Sequence, residues 1–218
     1  MTVATVELPK PRLRGRLHQI AFIVWIPAGI TLVAVGRTAL ARVAAAIYSC
    51  CVLILYGVSA SYHRLPWSPR ARKIMRRLDH SSIFILIAGS YTPLSLLALH
   101  HAWRISILAT VWGVALAGIV LKVSHLEKMD RMGMVLYIAL GWTALIALPE
   151  ILRGVSPASA VLLFSGGILY TVGAVFFALH RPDPNPAVFG YHEFWHSMVI
   201  GGSLCHYVMV MLLALSAR

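Results

Sequence analysis

Residues 190–214 read GYHEFWHSMVIGGSLCHYVMVMLLA. The single Asp, Glu, Lys or Arg in this run is Glu193, close to its start. A helix rises about 1.5 Å per residue, so the run is long enough to cross a bilayer core about 30 Å thick. Working back toward the N-terminus, six further apolar segments fall at about 19–36, 40–62, 79–99, 103–121, 133–149 and 158–179. Pro27 lies inside the first, where a membrane helix tolerates a kink. Pro93, Pro149 and Pro157 lie near segment ends, as helix breakers do, and RPDPNP at 181–186 stops the sixth segment. The expected fold is an all-α membrane protein, a seven-transmembrane-helix bundle. Residues 1–17 form a basic N-terminal segment and 18–214 the membrane domain.

Composition agrees. The chain has 218 residues, 59% hydrophobic and only 12% charged, where a soluble domain carries about 25% charged residues. Its formal net charge of +12 would suggest nucleic acid in a soluble protein. Here no basic patch interleaves with aromatic residues, as single-strand binders require. Nucleic acid is not an expected partner; membrane lipids are.

The basic residues instead report topology, because cytoplasmic loops hold the Lys and Arg excess. With the N-terminus inside, fourteen of the nineteen lie on inside segments, six of them between Arg64 and Arg77. Arg37, Arg42, Arg104, Arg153 and Arg218 lie outside. The expected orientation is N-terminus cytoplasmic and C-terminus outside, opposite to G-protein-coupled receptors. The seventh segment has no lysine, which excludes a rhodopsin-like Schiff base there. No cleavage site follows a short hydrophobic region near the N-terminus, so no signal peptide is expected. Cys50, Cys51 and Cys205 form no CxxC pair and read as small buried hydrophobes.

Polar residues inside such a chain are costly near lipid, and each is a functional candidate. Three clusters stand out: SASYH at 59–63, RRLDH at 76–80 and HEFWH at 192–196. His192 and His196 are four apart, so they share one helix face. Two imidazoles so placed can both reach a metal at about 2.0–2.1 Å. Alternation of the spans brings His63, Asp79 and His192 to one depth, at the cytoplasmic face. Three histidines with an open fourth position suit a catalytic zinc, which lowers the pKa of a water to about 7. Asp79 or Glu193 could then take a proton, and Ser59, one turn deeper than His63, could hydrogen-bond water, carboxylate or substrate. Asp79 could instead cap the third helix, and Ser59 could bond its own backbone. His80 reads as structural. His206 is about 15 Å beyond His196 along the helix and reads as a buried, hydrogen-bonded histidine. His18, His100, His101, His125 and His180 read as interface side chains.

The residues resemble a known family. Ser59-x-x-x-His63, Leu78-Asp79-His80, Ala88-Gly89-Ser90-Tyr91-Thr92-Pro93, Gly190-Tyr191-His192-Glu193 with His196, and His206-Tyr207 occur in the order seen in the hemolysin III branch of the progestin and adipoQ receptor family. The likeness covers residues 12–214. It implies seven helices, an inside N-terminus, and zinc (Zn2+) held by His63, His192 and His196, with Asp79 and Ser59 near its water. Eukaryotic members resemble receptors with ceramidase-like hydrolytic activity. Bacterial members carry the hemolysin label and are linked to membrane homeostasis, which implies a multi-pass protein of a bacterial cell membrane.

The leading expectation is therefore a zinc-dependent hydrolase of a lipid amide, its lipid-like substrate entering from the bilayer. A non-enzymatic pore, channel, sensor or receptor with a structural zinc is the alternative. HEFWH also fits HExxH, the helix motif of zinc proteases, with Glu193 as base.

Overall fold

The computed structural model describes residues 11–124 and 130–217. Lys10, His125, Lys128 and Arg218 lie outside the described residues, as do the side chains of His101 and Arg131. Among the described residues, eight α-helices carry the chain: α1 (Arg16–Ala34), α2 (Ala39–Arg64), α3 (Pro69–Ala98), α4 (His101–Ser124), α5 (Asp130–Gly141), α6 (Leu148–Gly154), α7 (Pro157–Leu179) and α8 (Tyr191–Ser216). A 3-10 turn at Trp142–Ala147 joins α5 to α6, and the two helices together make one span. Seven elements among the described residues are thus long and apolar enough to cross a membrane. No strand forms among the described residues.

Local sequence sets these boundaries. Thr38, Ser68 and Ser156 cap α2, α3 and α7, each accepting a backbone N–H from three residues on, and Pro69 and Pro157 sit in the first turn, where their missing donor costs nothing. Pro149 likewise opens α6, so the fifth span continues to Gly154 instead of ending near residue 149. The third helix begins ten residues before its apolar run. Residues 69–78 are basic, yet the Ser68–Pro69 start is strong. Asp79 is therefore interior to α3 and neither caps nor starts it.

The α1 stripe His18, Ala21, Trp25, Gly29 and Leu32 is buried, while Ile20, Ile23, Val24 and Ile30 face outward. Outward apolar side chains suit lipid, which is as apolar as they are. Cys51 is buried but Cys50 is exposed on the outer face of α2, so the expectation of burial fails for Cys50. Helix pairs close through small residues. At Gly202 on α8, an added Cβ would lie 2.8 Å from the Tyr170 ring of α7.

The chain before α1 is tied to the bundle. Arg12 and Leu13 donate backbone N–H groups to the carbonyls of Ala187 and Val188, at 3.0 and 3.2 Å. Gly15 then turns the chain into α1 with φ +77°. This path lays Arg14 over the start of α8.

Candidate metal centre

Three helices meet at one end of the bundle: α2 at its last turn, α3 one-third along, and α8 at its first turns. His63 comes from α2, Asp79 from α3, and His192 and His196 from α8. One ring nitrogen of each histidine lies within 4.8 Å of the others. The Nε2 atoms of His63 and His192 are 3.2 Å apart. Two nitrogens bound to one tetrahedral zinc at about 2.05 Å are separated by about 3.3 Å. The ring nitrogens thus approach as co-ligands do. Three imidazoles are also a donor set suited to zinc among the common metals. The Nδ1 of His196 is buried with no hydrogen-bond partner, so one of its nitrogens is left without a hydrogen bond from the protein. The residues present fit a bound metal ion.

Asp79 Oδ2 lies 3.9 Å from His63 Nε2, and the buried Ser59 hydroxyl pairs with the Asp79 carboxylate. Ser59 follows from the helix period: four residues before His63, it shares that face. Ser59, His63, Asp79, His192 and His196 all line one cavity of about 880 Å³, which also reaches His80 and His206. His206 nonetheless donates its Nε2–H to the Leu163 carbonyl at 3.2 Å and stands apart from the three clustered histidines.

Glu193 is differently placed. It is fully buried. Its Oε1 accepts from Arg14 Nε, and its Oε2 accepts from the Gly190 N–H at 2.9 Å. Both oxygens are engaged at the helix start, where a carboxylate also meets the positive end of the helix dipole. The residue thus caps α8 and anchors the N-terminal segment. Its partner is Arg14 and not the basic stretch 70–77.

One residue escapes the reading of the clusters. The His18 ring stacks on His196, with centroids 3.8 Å apart and planes 16° from parallel. His18 is buried against the first turns of α8. It is an interior histidine behind the cluster and not an interface side chain. Its signal was the inward spacing of His18, Ala21, Trp25, Gly29 and Leu32.

A membrane bundle of seven apolar spans, with three histidines from two sequence-distant helices gathered at one end, defines the class. Residues 6–207 match the family model described as Haemolysin-III related, and the chain belongs to that family. It is 34% identical over 197 residues to Hemolysin-3 of Bacillus cereus, covering 89% of this chain and 87% of that protein. It is 33% identical to the Hemolysin-3 homolog of Bacillus subtilis (strain 168), covering 89% of each. It is a multi-pass integral membrane protein of bacterial type.

Proposed function

We propose that the chain is a zinc-dependent membrane hydrolase acting on a lipid amide. The observation that supports this most is the Asp79 carboxylate standing 3.9 Å from one nitrogen of a three-histidine cluster, inside a cavity with apolar walls. A metal held only for structure needs no carboxylate and no cavity beside it. His63, His192 and His196 would hold the zinc. When bound, zinc supplies Lewis acidity at a coordination position that three protein ligands leave open.

The chain's own residues do the rest. Hydrolysis adds the hydroxyl of a water to the acyl carbon and breaks the carbon–nitrogen bond. The water's remaining proton must reach the departing nitrogen. Asp79 accepts that proton and returns it to the amine, which leaves as the second product beside the carboxylic acid. The Ser59 hydroxyl orients the carboxylate for both transfers. Leu55, Leu86 and Val199 hold the acyl chain along the cavity wall and keep bulk water away.

The test is metal analysis of the purified protein with a fatty-acid release assay on N-acyl amides. Asp79→Ala should keep its zinc and lose turnover by about 10²–10⁴-fold, the usual worth of a positioned acid–base group. Glu193→Gln should keep most activity. Loss in Glu193→Gln with an active Asp79→Ala would favour a peptidase of the HExxH type.

The name Hemolysin-3 borne by the relatives supports a second reading, a non-enzymatic pore with a structural zinc. Dye release from vesicles, without turnover of any lipid or peptide and with zinc coordinated wholly by protein, would select it.

A further inference from the structure

The first helix supplies none of the three clustered histidines, yet the segment that opens it touches both helices that do. Arg12 and Leu13 are tied to residues 187 and 188, just before α8, and Arg14 holds Glu193 in the first turn of α8. At Gly15 an added Cβ would stand 2.6 Å from the Cβ of His63 on α2. One turn further on, His18 lies against His196 of α8, with ring centroids 3.8 Å apart and planes 16° from parallel. The His18 ring also meets Tyr56 of α2, at 5.0 Å and 48°. Tyr56 in turn meets the Trp25 ring edge-on at 5.7 Å. His18, Trp25 and Tyr56 are all buried, so the His18 ring has little room to turn.

The other histidines around His196 are inclined to it. His192 stands 4.6 Å away at 77° and His63 5.4 Å away at 60°. Inclined rings with converging nitrogens are what the ligands of one ion present; a parallel ring is not. His18 accordingly lies outside the three-histidine cluster. What it can do is set a direction. The terminal torsion of histidine is broad, without sharp rotamer wells. Metal-bound imidazoles are usually aimed by a hydrogen bond from their second nitrogen. The buried Nδ1 of His196 makes none among the described residues, so it does not anchor the ring. A ring face at 3.8 Å is in van der Waals contact, and turning the His196 ring would drive its edge into His18.

We propose that His18 is a positioning residue for the metal. Its ring face fixes the plane of His196 and so aims the third ligand at the point where His63 and His192 converge. The first helix thereby preorganises a site to which it gives no ligand. Such a constellation must be held within about 0.5 Å and 10–20° by side chains locked in packing. The assignment rests on the reading of the three histidines as a metal site. It predicts a loss smaller than that of deleting a ligand: about 10–100-fold in affinity, the usual worth of an outer-shell partner.

The test uses the full chain in detergent. Zinc affinity is measured against a chelating dye, and Co2+ in place of zinc gives a visible spectrum that reports ligand geometry. His18→Leu fills the space without a flat ring, and His18→Phe restores a ring face. Trp25→Phe perturbs a buried aromatic of the same helix whose ring contacts are with Tyr48, Tyr56 and Tyr207 and not with a clustered histidine. His18→Leu should weaken zinc about 10–100-fold and shift the Co2+ bands, because the ligand field changes with the direction of His196. His18→Phe should stay within about threefold of the wild type and keep its bands. Trp25→Phe should lower the melting temperature of the metal-free chain and leave affinity and bands unchanged. Wild-type affinity and bands in His18→Leu overturn the proposal. So does a folded His18→Phe that binds as weakly as His18→Leu, since the ring face is then not what acts. So does an equal loss in Trp25→Phe, since loosened packing alone would then explain the effect. If His18→Phe fails to fold, the contrast between His18→Leu and Trp25→Phe decides. A wild type that takes up neither zinc nor cobalt defeats the metal reading itself; one that binds metal whatever stands at residue 18 defeats the positioning role alone.

Discussion

The guanidinium of Arg14 donates to the carboxylate of Glu193, joining residues 179 positions apart at the start of α8. Glu193 has no solvent exposure, while the Arg14 side chain is 20% exposed. The two ends of this pair are therefore unequal. Arg14→Ala leaves a buried carboxylate uncompensated, and removing one partner of a buried pair costs about 3–5 kcal/mol. Glu193→Gln leaves an arginine that can reach water, and should cost less. Unfolding in detergent should rank the variants in that order. Equal losses would mean the pair is solvated.

Gly15 tests how closely the N-terminal segment presses on the cluster. Its φ of +77° is left-handed, and an added Cβ would stand 2.6 Å from the Cβ of His63. A left-handed conformation costs an L residue about 1–2 kcal/mol, and His63 must also move. Gly15→Ala should weaken zinc binding by about tenfold or more, one such factor for each 1.4 kcal/mol, in competition with a chelating dye. Gly113→Ala, where nothing lies within 4 Å of the added atom, should leave the affinity unchanged. Matching affinities in the two variants would show that the contact does not restrain His63.

Orientation is tested at the loop before α3. The six basic residues from Arg64 to Arg77 predict that this end of the bundle faces the cytoplasm. Single cysteines at 68–72 should resist an impermeant reagent added to intact cells and react once the cells are opened. Efficient labelling from outside would invert the topology, and the histidines with it.

A metal shared by His63 of α2 and the two histidines of α8 should clamp these helices together. Zinc that binds only the folded chain stabilises it by about 4 kcal/mol when its free concentration is about a thousand times its Kd. Chelation should lower the melting temperature in detergent, and zinc should restore it. An unchanged melting curve after verified removal would mean that the helices hold without the clamp.

What was legible in the sequence depended on range. Seven spans follow from apolar runs alone. His192 and His196 declare themselves by a spacing of four, and His63 and Asp79 follow once alternation of the spans puts them at one end. The start of α3 was hidden, because residues 69–78 are too charged to count as a span, although Ser68 and Pro69 signal a helix start. The pairing of Glu193 with Arg14 was also hidden, since no local pattern selects a partner 179 residues away. His18 lay between these cases. Its closeness to the basic N-terminus suggested the membrane interface, while its register with Trp25 and Leu32 pointed inward.

The most direct measurement is zinc content per chain by elemental analysis, on wild type and on His63→Ala, His192→Ala, His196→Ala and His206→Ala purified in parallel. The account predicts one zinc in the wild type and in His206→Ala, with a sharp loss in each of the other three. Zinc stripped by His206→Ala and spared by His63→Ala would contradict it.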